Sequence, residues 1–114
     1  MNRDVSVYVQ DIIDSISKIE DYTSGFTKEQ FQKNSLMQNA VIRRLEIIGE
    51  AVKQIPDSIR NKYPAVPWKN IAGMRDVLIH EYFGVNLDRT WKVVEKNLPL
   101  LKREITKLKN DLAY

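Results

Sequence analysis

Residues 91–112 read WKVVEKNLPLLKREITKLKNDL. Within them Trp91, Val94, Leu98, Leu101, Ile105, Leu108 and Leu112 follow one another at alternating steps of three and four. That spacing places them along one stripe of an α-helix, in the heptad pattern of a packed seam. A β-strand cannot use it, because its faces alternate every second residue. The seam has two available partners, the rest of its own bundle or a second copy of the chain. A short domain needs such a face for its own core, so packing within the chain is the leading expectation. Pro99 interrupts the stretch. It lacks an N–H and its ring crowds the carbonyl four residues back, so it is expected to kink the helix.

The same periodicity extends toward the N-terminus. In residues 28–55, Met37, Val41, Ile48, Val52 and Ile55 form one stripe, and Leu36, Ala40, Ile47 and Ala51 a neighbouring one. Two adjacent stripes predict a wide buried face, as on a central bundle helix. Thr27 is the expected N-cap of this region, with Glu29 and Gln30 just after it, and Pro56 closes it. Residues 3–22 form an earlier helix with Val5, Tyr8, Ile12, Ile16 and Ile19 on one face, ended by Thr23-Ser24-Gly25. A further helix begins at Val66-Pro67-Trp68 and runs to about Phe83, before Gly84. Asp57-Ser58 starts a short extra turn, and Asn86 or Asp88 caps the last helix. The expected fold is all-α, an up-and-down four-helix bundle with an extra short helix, in a single domain spanning 1–114.

Composition narrows the chemistry. The 114 residues contain no Cys and one His, His80, which excludes thiolate catalysis, disulfides, Cys-type metal sites and a multi-His centre within one chain. The net charge of +3 permits nucleic-acid contact without demanding it. Residues 1–22 carry a net −3 and residues 89–114 a net +4, so the first and last segments are able to attract each other, within a bundle or between chains. Arg43-Arg44, Lys102-Arg103 and Lys107-Leu108-Lys109 read as solvated faces that are also able to guide RNA. Acidic residues interrupt the N-terminal segment, so no signal peptide is expected, no stretch approaches a membrane span, and the cytoplasm is the default compartment.

One stretch concentrates reactive groups: Arg75-Asp76-Val77-Leu78-Ile79-His80-Glu81-Tyr82. On a helix, Ile71, Arg75, Leu78 and Tyr82 share a side. An arginine at the edge of an apolar stripe must meet an anion or an interface, because an unpaired buried guanidinium is very costly. Asp76 precedes His80 by four residues, so its carboxylate is placed to hold the second imidazole N–H and to raise the imidazole pKa. Arginine and histidine suit RNA cleavage by internal transesterification. The 2′-hydroxyl is the nucleophile, histidine moves protons, and arginine stabilises the phosphorane charge. One histidine cannot be base and acid at once, which favours a composite site built from two chains. The plainer alternatives are a salt bridge for Arg75, a helix cap for His80 and a core-edge aromatic for Tyr82.

The spacing Arg75-x-x-x-x-His80-x-Tyr82 resembles the signature of the HEPN superfamily in its HepT toxin branch. Residues 40–51, AVIRRLEIIGEA, resemble that branch's second block, and residues 67–74, PWKNIAGM, lead into the motif as in those proteins. The resemblance spans nearly the whole chain. It implies an HEPN-like helical domain and a metal-independent endoribonuclease, the toxin of a type VII toxin–antitoxin pair. It implies a homodimer in which two copies of the motif line a cleft, with Arg75 and His80 catalytic and Asp76 supporting. Tyr82 would accept AMP from an MntA-like nucleotidyltransferase antitoxin, blocking the groove for RNA, whether tRNA or mRNA. No metal or organic cofactor is implied. The alternative is a non-catalytic nucleotide- or RNA-binding module, or an adaptor for the nucleotidyltransferase.

Overall fold

Asp4 opens the first helix by accepting a hydrogen bond from the Ser6 N–H at 3.0 Å. The structure, a computed structural model, describes residues 4–73 and 86–112. Helix α1 spans Val5–Thr23, and Gly25 follows it with φ 79°, a left-handed conformation that glycine adopts without strain. Thr27 then caps α2, Lys28–Gln32, in a reciprocal box: the Gln30 N–H donates to Thr27 Oγ1 and the Thr27 N–H to Gln30 Oε1.

The expected single helical region 28–55 is two helices. The break falls at Lys33-Asn34, and α3 runs over Ser35–Lys53. Asparagine is the cause, since its short amide competes with helix bonding and favours an N-cap. Asn34 adopts an extended backbone and its side chain accepts from the Met37 N–H at 3.0 Å. Gln38 Nε2 reaches back to the carbonyls of Phe31 and Gln32, satisfying the end of α2. The turn drives Phe31 fully into the core.

The short extra helix is present as α4, Asp57–Arg60, and α5 is Trp68–Ala72, closed by Gly73. The rest of the expected third helix, to Phe83, lies outside the described residues. Asn86 is the cap of α6, Leu87–Lys92, its side chain accepting from the Arg89 N–H at 3.0 Å. A π-helical turn, Val93–Asn97, joins α6 to α7, Leu98–Leu112. The described elements are all helical, and the fold is all-α.

Helix α1 packs between α3 and α7, while α5 lies on α3 and α2 bridges α3 to α6. Ile12, Ile16 and Ile19 of α1 meet Val41, Leu45, Ile48 and Val52 of α3 and Leu101, Ile105 and Leu108 of α7 in one buried cluster. Full burial of each such side chain contributes about 1.5–3 kcal/mol. Leu98, Leu101, Ile105 and Leu108 of the seam therefore pack within their own chain, while Leu112 at its end is 41% exposed. Opposite charges of the first and last helices meet at Lys102 and Glu20, 2.9 Å apart.

Three expectations shift in detail. Val9, not Tyr8, completes the α1 core face, and Tyr8 is half-buried at its edge. The second α3 stripe is not core along its length, because Leu36 is 80% exposed while Ala51 is buried. On α6 the fully buried residue is Thr90, with Trp91 only half-buried. The π turn explains the last change. In it the Leu98 N–H bonds the Val93 carbonyl, five residues back, so everything upstream is rotated by one residue relative to α7. Pro99 accounts for its location, as its missing N–H and its ring disturb the ordinary bond at Glu95. The interruption expected at Pro99 takes this form.

Candidate functional site

Arg75, Asp76, His80 and Tyr82 lie outside the described residues. The described structure gives the two supports that flank them in the chain, α5 before and α6 after.

Helix α5 is pinned on three sides. The Trp68 indole N–H donates to the Tyr63 carbonyl at 3.0 Å and to the Arg60 carbonyl at 3.1 Å. Ile71 is buried in the core. Gly49 of α3 lies so close that a Cβ there would stand 3.3 Å from the Ile71 carbonyl oxygen. The loop that holds Trp68 is in turn fastened to α7, because the Tyr63 hydroxyl donates to the Asp111 carboxylate. Burial, and then that bond to a carboxylate, pushes the Tyr63 pKa up to about 12. Glu104 on α7 is buried beside Lys107 at 2.9 Å, and chiefly that bond holds its carboxyl below the usual range.

Helix α6 is fixed by its cap and by α2. Asp88 receives Lys28 at 3.0 Å and the Gln32 amide at 2.7 Å. The Trp91 and Phe31 rings meet at 5.2 Å between centroids, tilted by 38°. Thr90, fully buried, donates its hydroxyl to the Asn86 carbonyl at 2.9 Å. The described chain on either side of residues 74–85 is therefore held by buried side chains and hydrogen bonds.

Among the grooves that the described residues form, two differ in charge. One, of about 630 Å³, runs between α1 and α3 and is lined by Tyr8, Asp11, Arg43, Glu46 and Glu50 among others. Its carboxylates outnumber its arginine. The other, of about 570 Å³, lies between the start of α2 and α6, and includes Phe26, Lys28, Arg89, Trp91, Lys92 and Lys96. The basic pairs singled out in the sequence mostly face carboxylates: Arg43 has Glu46 at 3.8 Å, Lys102 has Glu20, and Arg103 and Lys107 have Glu104. Sequence reasoning missed the second groove. Its signal was the spacing of Arg89, Lys92 and Lys96, at steps of three and four, rather than adjacency. Among the described residues, no three His, Cys, Asp or Glu side chains are grouped to hold a metal ion, and no helix is long and apolar enough to cross a membrane.

Comparison with known proteins supplies the family. The family described as Ribonuclease HepT-like matches residues 12–108. A protein of Thermococcus cleftensis named as a probable ribonuclease HepT is 44% identical over 109 residues, covering 96% of this chain and 99% of the relative. A protein of Methanocaldococcus jannaschii, named for a gamma-glutamylcyclotransferase and, provisionally, an RNase, is 50% identical over 112 residues. That match covers 98% of this chain and 50% of the relative, so the chain spans about half of that protein. A provisionally named RNase of Caldanaerobacter subterraneus is 43% identical over 101 residues, covering 89% of this chain and 90% of the relative. No solved structure matches significantly. The all-helical architecture agrees with the match, which covers all but the chain's two ends, and the chain belongs to the Ribonuclease HepT-like family, within the HEPN superfamily.

Proposed function

We propose that the chain is an endoribonuclease toxin that cleaves RNA without a metal, through Arg75 and His80. The observation that carries the proposal is membership of a ribonuclease family combined with Arg75-x-x-x-x-His80-x-Tyr82 inside the matched region. The RNA supplies its own nucleophile. The 2′-hydroxyl oxygen attacks the adjacent phosphorus as His80 takes its proton, and Arg75 stabilises the charge on the phosphorane. The bond to the 5′-oxygen breaks, and that oxygen takes a proton from a second imidazole. The products are a 2′,3′-cyclic phosphate and a 5′-hydroxyl. The second imidazole is the His80 of another copy, which makes the working unit a homodimer. Asp76 orients the imidazole and favours its protonated form.

Tyr82 is the control point in this reading. A nucleotidyltransferase antitoxin of the MntA kind transfers AMP from ATP to the Tyr82 hydroxyl oxygen, and pyrophosphate leaves. The added bulk and negative charge repel the RNA backbone. The system operates in the cytoplasm, where tRNA and mRNA are available.

The test uses end-labelled tRNA and mRNA in EDTA, with protein whose intact mass is that of the unmodified chain. The parent is expected to cut and leave cyclic or 3′-phosphate ends, and His80→Ala to lose activity by at least about a hundred-fold. Full activity in His80→Ala refutes the mechanism. Tight RNA or nucleotide binding without cleavage would instead favour the binding or adaptor module.

A further inference from the structure

We propose that the groove between α2 and α6 is where a single-stranded segment of the RNA lies, its phosphates on Arg89, Lys92 and Lys96 and a base against Phe26 and Trp91. The choice of RNA as occupant rests on the ribonuclease reading. The place rests on the groove itself.

Charge comes first. Four cations line the groove against two carboxylates, Asp88 and Glu95. Lys28 engages Asp88 at 3.0 Å and Lys96 stands 3.9 Å from Glu95, so the lining keeps an excess of two positive charges. Lys92 is exposed and has no carboxylate in ion-pair range among the described residues. Arg89 and Lys92 lie on α6 and Lys96 in the π turn that continues it, so a backbone laid along this axis meets them in succession.

The aromatic groups add a second kind of contact. Phe26 is 44% exposed at the lip of the groove, in the turn after α1. Trp91 packs part of its ring on Phe31 and lends the rest to the groove wall. Cations that follow a backbone beside aromatic faces that accept any base are the means by which proteins hold single strands without reading sequence. The α1–α3 groove has the opposite character, since its carboxylates would repel a polyanion.

Binding is measured apart from cleavage. A fluorescein-labelled 2′-O-methyl uridine 12-mer lacks the nucleophile, and its anisotropy is followed across a salt titration. Lys92→Glu and Lys96→Glu are each expected to weaken binding by about ten-fold and to lower the salt slope by about 0.7 for each phosphate no longer neutralised. Phe26→Ala is expected to weaken it by about ten-fold at unchanged slope. Lys62→Glu, the same charge change at an exposed residue outside the groove, should stay within about two-fold of the parent. Groove variants that bind like Lys62→Glu, or a parent that does not bind the oligomer, overturn the proposal and leave the groove to a protein partner. Cleavage of the matching ribo-oligomer is scored separately. A parent that cuts while every variant binds alike sinks the groove and keeps the ribonuclease. Groove-dependent binding without cutting sinks the ribonuclease and keeps the groove.

Discussion

Gly49→Ala sets two effects of similar size against each other. Gly49 is buried within α3, and an added Cβ would lie 3.3 Å from the Ile71 carbonyl oxygen and 3.6 Å from that of Ala72. Alanine inside a helix is favoured over glycine by up to about 1 kcal/mol. Against that gain, a methyl at this distance requires a backbone carbonyl to retreat by a few tenths of an ångström. Helix α5 has little room to do so, because Ile71 is buried and the Trp68 indole is tied to two carbonyls. Overpacking of this kind costs about 1–3 kcal/mol, and the middle of that range leaves a net loss of about 1 kcal/mol. In a domain of this size that lowers Tm by about 4 °C. Urea titrations followed by circular dichroism measure it, with the difference between Asn39→Ala and Asn39→Gly on the exposed face of α3 giving the glycine-to-alanine propensity gain alone. The cleavage rate is the second readout, since the two carbonyls immediately precede the stretch that carries Arg75. A Gly49→Ala protein as stable as its parent, or more so, refutes the argument that the α3–α5 approach demands glycine.

The remaining predictions concern a tyrosine, a cap and the histidine proposed as catalytic. Tyr63 has a folded pKa of about 12 against an unfolded value of 10.0, so above pH 10 the unfolded chain gives up this proton first. Stability should therefore be unaffected by Tyr63 below pH 10 and fall by up to about 3 kcal/mol between pH 10 and 12, a slope that Tyr63→Phe should lack in parallel urea melts. Asn34→Ala removes the cap that starts α3 and should cost about 1 kcal/mol in the same assay; an unchanged midpoint would show that the α2–α3 break does not depend on it. His80→Ala should retain the parent's melting curve while losing cleavage, and a large loss of stability would point to a structural role instead.

Much of this fold is written in periodicity. The α7 residues Leu98, Leu101, Ile105 and Leu108 are core because each sits at the heptad step, and all four are buried. Periodicity fails where the backbone leaves the ideal helix. Trp91 fits the seam by counting, yet the π turn rotates it out and brings Thr90 in. It also fails where a helix offers more apolar residues than its core face can use, as with Tyr8 beside Val9 and Leu36 beside Met37. The break at Asn34 is legible, since asparagine is a poor interior residue and a good cap and the apolar stripes begin only at Leu36 and Met37. The reactive motif is visible only as residue types at a spacing, to which the resemblance lends meaning. The α6 groove was hidden for a different reason. Its cations are separated along the chain, and Phe26 joins them from another element through the packing of α2 on α6.

The π turn at Val93–Asn97 holds a spare residue, and that residue divides one helix into two separately aimed surfaces. Each residue of an α-helix advances the azimuth by about 100°. A helix unbroken from Leu87 to Leu112 would have a single inward direction, and Trp91 would be spent on the core. With the extra residue, α7 keeps its orientation against α1 while α6 is turned as a block. Arg89 and Lys92 thereby swing together on α6, and Lys96 follows them from within the turn itself. The heading of that charged row is thus a matter of residue count. Relatives that differ by one residue between Lys92 and Pro99 would carry the same side chains on a different bearing.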